Sequence, residues 1–320
     1  MKTSRFAFLL FAVFGGAPII ANASCGAAFC TVNSNWTSES AMTSAGSSFD
    51  LRYEYIKQDQ PRAGADKVAV GQISRHHDEV ETLNRNLVAT YNRTFESGWG
   101  LSVTAPIADR NHEHVHNHHG EQVPESWNFT ELGDIRVIGR YQLPFVGEPD
   151  AERTAGFSFG LKLPTGKATV KNSAGSAAER SLQPGTGTTD LVLGAYHHQK
   201  LSSLDSSWFA QAQYQRALNS HEQYKPGSQF GADVGYRYNV SDRLGALVQL
   251  NTLFKGRDSG SEAEPEDSGG RYAFVSPGLS FAVSDAIEIY GFYQQPIYQR
   301  VNGVQLTASR GFVVGMSGRF

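Results

Sequence analysis

Past its first 23 residues this chain of 320 residues has no apolar run near 18 residues, so no helix is expected to cross a membrane. Neither sign of charge dominates. Lys and Arg number 28 against 31 Asp and Glu, for a net charge of -3. With no basic stripe, nucleic acid is not an expected partner. Only two cysteines occur, in the stretch CGAAFC, and no CxxCH is present, which excludes a c-type haem site. Two thiols alone make a poor structural zinc site. No ATP motif is visible, and GTGTTD at 185–190 lacks the GK[ST] ending of a phosphate loop. Long amphipathic helical patterns are scarce.

The N-terminus has the form of an export signal. Lys2 and Arg5 precede an apolar stretch from Phe6 to Ala21, and Ala21-Asn22-Ala23 is a small-x-small cleavage pattern. The expected mature chain starts at Ser24. A retained helix is the weaker reading, because the run is short for a span of about 20 residues. A lipoprotein is weaker still, because Asn22 stands where a lipobox wants an aliphatic residue. In an oxidising exported compartment, Cys25 and Cys30 are expected to close a small disulfide loop. The segment 24–47, rich in Ser, Thr and Asn, either trails in the periplasm or folds up into a lumen.

What the chain has in quantity is period-2 alternation, with 33 glycines and many aromatics. In SFDLRYEY, residues 48–55, Phe49, Leu51, Tyr53 and Tyr55 share one face while Asp50, Arg52 and Glu54 share the other. Twelve such segments are expected, near 48–56, 82–94, 99–108, 133–142, 154–163, 188–198, 207–216, 229–239, 244–255, 271–282, 286–296 and 306–320. Their links alternate in length. The odd ones are long (57–81, 109–132, 164–187, 217–228, 256–270, 297–305) and the even ones mostly short. Short periplasmic turns, long external loops and an even strand number predict an all-β fold: a transmembrane, antiparallel, up-and-down barrel at 48–320 in the bacterial outer membrane. Pro277 inside the tenth segment removes a ladder hydrogen bond, and a bulge is expected between Phe274 and Val275. Arg85 falls on the lipid face near an interface.

Two stretches carry a resemblance. ELGDIRVIGRYQL at 131–143 is one. The other runs from FSFGLKLPTGK at 157–167 into QPGTGTTDLVLGAYHH at 183–198. Together they resemble the outer-membrane family named for the meta-pathway of phenol degradation. That resemblance implies a transporter passing hydrophobic or aromatic compounds, with no catalytic set to carry over. The ending GFVVGMSGRF resembles the usual terminus of outer-membrane barrels, which implies the barrel assembly machinery as a partner through Phe320.

The inward faces are expected to carry Asp50, Arg52, Glu54, Asp134, Arg136, Arg140, Lys162, Asp190, Asp233, Arg237, Lys255, Glu288 and Arg319. Six acids against seven bases is near balance, where a strongly selective pore shows one dominant sign. Twelve strands lie between a side-chain-filled barrel and a wet porin. The expectation is a narrow polar path, or a gated one, for passive movement of a small solute, with outer-membrane lipid around it. An enzyme would need a Ser–His pair near the external interface, and the strand histidines His197 and His198 lie at the other end.

Five of ten histidines sit in RNHEHVHNHHG, residues 110–120. His112, His114 and His116 alternate, so an extended segment points all three the same way. With His118, His119, His76 and His77 they are candidate ligands for Zn, Cu or Ni, for which imidazole is suited. No cofactor is required by this reading. The alternative is a solvated loop with adventitious affinity.

Overall fold

A computed structural model describes residues 45–74, 76–118, 121–144 and 153–320. The signal segment, Cys25, Cys30 and His119 lie outside the described residues, as does the side chain of His118. Twelve antiparallel strands form a single closed sheet. They are β1 (Gly46–Ala63), β2 (His77–Thr94), β3 (Trp99–His118), β4 in two pieces (Glu121–Leu132 and Arg136–Gln142), β5 (Arg153–Lys162), β6 (Asp190–Leu201), β7 (Ser206–Ala217), β8 (Gln229–Asn239), β9 (Leu244–Lys255), β10 (Gly270–Ala282), β11 (Ile287–Val301) and β12 (Val304–Arg319). β12 pairs back onto β1, from Ser48 opposite Arg319 to Ala63 opposite Val304, which closes the barrel, while the upper piece of β4 (Glu121–Leu132) pairs, among the described residues, with β3 alone. At the periplasmic end the first and last strands exchange backbone bonds between Ser47 and Phe320 at 3.0 and 3.1 Å.

The alternation sorts the two faces. Leu51, Tyr53, Leu87, Phe157, Phe159, Val234, Tyr236, Leu250 and Val314 are exposed on the outside, where lipid replaces water as their surroundings. Asp50, Glu54, Asn84, Lys162, Asp190, Gln249, Asn251, Ser276 and Gln294 are buried on the inside. This is the reverse of a soluble barrel, and it is what places the chain in the bacterial outer membrane.

The strand count agrees with the sequence; the strand lengths do not. Residues 57–81, 109–132 and 297–305 are not long loops. β1 and β2 close to within 64–76, β3 and β4 to within 119–120, and β11 and β12 to within 302–303. RNHEHVHNHHG therefore begins as the upper part of β3, with Ile107 opposite Leu132 and His118 opposite Glu121. Hydrophobic alternation marks only the part of a strand that meets lipid. Above the membrane the outward face can be polar, and the β2–β3 ladder runs on from Gly100 to His116 with one register shift, between Glu79 and Glu81 on β2. Outside, Arg85 Nη2 pairs with Asp109 Oδ1 at 2.8 Å, just above exposed Leu87 and Ile107. The bulge lies one step earlier than expected, between Ala273 and Phe274, with the extra residue on β11. Phe274 and Val275 keep opposite faces, and Pro277 sits where the β10–β11 ladder lacks two rungs.

The segment 163–189, between β5 and β6, folds inward. Val170, Ala178 and Leu182 are buried against Trp127, Phe129 and Leu306 in the extracellular mouth.

Candidate functional site: the lumen and its extracellular mouth

The inner face is crossed by polar contacts. Arg52 bridges its own strand neighbours, Nη1 to Asp50 Oδ1 at 3.3 Å and Nε to Glu54 Oε1 at 2.7 Å. Tyr290 Oη on β11 donates to Asp50 Oδ2 at 2.6 Å. Arg136 Nη2 donates to Gln215 Oε1 at 2.9 Å, from β4 to β7. Arg140, four residues on, shares that face of β4. Asp233 accepts from Asn251 Nδ2 at 2.9 Å. Arg237 Nη1 on β8 reaches Glu288 Oε1 on β11 at 2.8 Å, over two intervening strands. That pair lines a cavity of about 670 Å³ at the periplasmic end, with Arg243 and Asp285. Between these polar groups lie two apolar clusters on the inner face: Phe209, Leu247, Tyr290, Phe292 and Val313, and Ile56, Tyr272, Phe274, Val301 and Ala308.

The motif residues of the sequence converge on one point. β4 breaks at Gly133-Asp134, and Asp134 collects donors from both feet of the inward segment. Gly166 N gives to Oδ1 at 3.0 Å, Thr186 N to Oδ2 at 3.0 Å, Thr186 Oγ1 to Oδ2 at 3.1 Å and Lys162 Nζ to Oδ2 at 2.6 Å. Lys162 also contacts Thr186 Oγ1, donates to Thr188 O at 2.9 Å and lies 3.4 Å from Asp190 Oδ1. Asp190 accepts from Thr188 Oγ1 at 2.7 Å and Gln215 Nε2 at 2.6 Å. Glycine is needed for close approach, because a Cβ on Gly185 would meet Gly166 O at 2.5 Å and one on Gly166 would meet Gly133 C at 2.8 Å. The LPTG and GTGTTD motifs thus build the knot where the inward segment leaves and rejoins the wall.

The second cluster sits higher. Cross-strand register sets Glu79 opposite His114 and Thr82 opposite His112, and the i, i+2 spacing of 77/79 and 112/114 aims all four side chains inward. Glu179, from the inward segment, completes the group. His112 Nε2 is 3.3 Å from Glu79 Oε2, and His77 Nε2 is 3.6 Å from Glu79 Oε1 and 2.9 Å from Glu179 Oε1. His77 and His114 stack with ring centroids 5.1 Å apart, and Trp127 closes one side, 4.8 Å from His114. The site stands above the Arg85–Asp109 pair, clear of the lipid belt. Burial opposes a charge on His77, but the carboxylates of Glu179, Glu79 and Glu264 outweigh it and raise its pKa to about 10. Burial dominates at His112 and drops its pKa to about 3. Burial likewise lowers His114, against the pull of Glu125.

Of the candidate histidines, His77, His112 and His114 come together. His76 and His116 form a ring pair at 4.2 Å beside this group, with His116 Nδ1 3.9 Å from Glu125 Oε2, the atom that also contacts His114. Neither belongs to a ligand group among the described residues. Glu79 and Glu179 escape the sequence reading as ligands. The signal for Glu79 was its place two residues from His77, whereas nothing local marks Glu179.

The family described as "Putative MetA-pathway of phenol degradation" matches residues 80–308. No curated protein matches the sequence. Among solved structures, an outer membrane channel from Pseudomonas putida F1 superposes with a TM-score of 0.63 at 11% identity, over 86% of this chain and 96% of that one. The NanC porin gives 0.46 at 11% identity, over 85% and 100%. At these identities the likeness is one of fold.

Proposed function

This chain belongs to the MetA-pathway phenol-degradation family, and from that premise we propose that it is a passive outer-membrane channel for small, weakly polar solutes, aromatic ones included. The observation that carries the reading is the composition of the inner face. Balanced ion pairs alternate there with two aromatic-containing clusters, Phe209/Tyr290/Phe292 and Tyr272/Phe274. Balanced charge gives little reason to prefer one ion sign. The rings are buried against one another, so a solute meets a narrow interior of apolar stretches set between balanced polar groups, which suits a small, weakly polar molecule better than an ion. The inward segment and the Arg237–Glu288 bridge narrow the two ends, so the conducting path is small.

The test is conductance of the refolded protein in a planar bilayer, with liposome swelling for solute choice. Small discrete current steps are expected, and faster swelling with neutral phenols than with sugars of similar mass. Arg237→Gln with Glu288→Gln removes the bridge at the periplasmic mouth and is expected to raise the step size. No current and no swelling with any solute would sink the channel reading.

A further inference from the structure

We propose that His77, Glu79, His112, His114 and Glu179 bind one divalent transition-metal ion of the Zn(II) class, and that the ion fastens the inward segment 163–189 to the barrel wall. Two overlapping groups share Glu79: Glu79 with His112 and His114, and His77 with Glu79 and Glu179. In each, the ligand atoms lie within 4.8 Å of one another. Ligands held at about 2.1 Å around a tetrahedral zinc lie roughly 3.4 Å apart, so the closure required is small. Two or three imidazoles with one or two carboxylates suit Zn(II), Cu(II) or Ni(II) and not a hard all-oxygen ion.

Two of the three rings have the outer contacts a metal site needs. A ligating imidazole has one nitrogen on the ion and the other held by a carboxylate or other acceptor. His112 Nδ1 is held by Thr82 Oγ1 at 2.9 Å, while its Nε2 lies by Glu79. His114 Nε2 is held by Glu125 Oε2 at 3.0 Å, and its Nδ1 is buried with no hydrogen-bond partner. Trp127 and the segment's own Val170 and Leu182 keep the site dry. Access exists, because Glu179 also lines a cavity of about 410 Å³ between the extracellular segments. His112 and His114 belong to β3, His77 and Glu79 to β2, and Glu179 to the inward segment, so one ion ties three pieces of chain.

The experiment is zinc titration by calorimetry on the full refolded protein, with folding of each variant checked by its heat-modifiable migration. One equivalent per chain is expected. His112→Ala with His114→Ala should weaken binding at least about tenfold, and Glu179→Gln, which leaves the ladder untouched, should also weaken it. His76→Ala with His116→Ala should not. Zinc should also slow amide exchange across residues 166–183 in the wild type and have less effect in Glu179→Gln. No binding, or an equal loss in the His76/His116 variant, would reduce the cluster to an adventitious histidine tract. Binding without any change in exchange would remove the fastening role. None of these readouts depends on conductance, so the channel reading can fail while this one stands.

Discussion

The inward segment is held at two places that look alike by burial and differ in chemistry. At its feet, Asp134 and Asp190 meet Lys162, and the knot contains its own permanent cation. At its tip, Glu79 and Glu179 meet three imidazoles, and none of the five side chains is a fixed positive charge. Buried carboxylates need a compensating charge. The feet carry one under all conditions. Within the tip's own group a positive charge comes from a proton or an ion, while the fixed cation nearby, Arg110, stands outside the group with Nη1 on Leu182 O at 2.6 Å. The feet are therefore built for permanence and the tip for response to its surroundings.

The largest effect should come from removing the built-in cation. Lys162→Met leaves two buried carboxylates without their partner and should cost about 3–5 kcal/mol, read as a shift of the urea midpoint of the barrel in detergent. Adding Asp134→Asn and Asp190→Asn should recover much of that loss, because the uncompensated charge goes with them. If Lys162→Met alone leaves the midpoint in place, the knot is not what secures the feet.

A step smaller is Gly185→Ala. The added methyl would meet Gly166 O at 2.5 Å, and overpacking of backbone against backbone costs roughly 1–3 kcal/mol. The same change at Gly175, where a Cβ meets nothing within 4 Å, is strained only by its φ of +88° and should cost less. Equal costs at the two glycines would mean that close approach at the knot is not the constraint.

The barrel itself was legible in the sequence for a physical reason. Lipid forces an apolar face on each spanning stretch, and hairpin connectivity forces the long and short links to alternate. Those demands wrote twelve segments and their order into local composition. Above the lipid neither demand acts, so the upper halves of β3 and β4 read as loop. The spacing of His112, His114 and His116 foretold a shared direction but not the partners. His114 faces Glu79 only through the β2–β3 register, and Glu179 arrives from a segment 65 residues further along than His114. The knot was half legible: Asp134, Lys162 and Asp190 were expected to face inward, yet their convergence depends on how 163–189 folds back.

At the tip, one contact that does not involve charge is the indole of Trp127, whose Nε1 donates to Ser176 O at 3.1 Å. Trp127→Phe keeps most of the apolar contact with Val170 and Leu182 and removes that bond. It should destabilise docking of the segment by about 0.5–1.5 kcal/mol, seen as faster amide exchange in 170–183 with the barrel midpoint unchanged. A shift of the midpoint instead would mean that the tip and the wall unfold as one unit, and the distinction between a permanent foot and a responsive tip would fail.

The smallest effect belongs to an ion pair that shares the chemistry of the feet but not their burial. Arg85 and Asp109 meet at 2.8 Å on the outer face, with side chains about a third exposed. Solvent and salt screen such a pair, and double removal by Arg85→Ala with Asp109→Ala should change stability by no more than about 1 kcal/mol. The Lys162 knot and this pair have similar N–O distances, 2.6 and 2.8 Å, so distance alone predicts equal losses. Burial predicts a severalfold difference in the urea midpoint shift. If the outer pair costs as much as Lys162→Met, the headgroup region around it is far drier than a surface, and Arg85 belongs with the membrane-spanning wall.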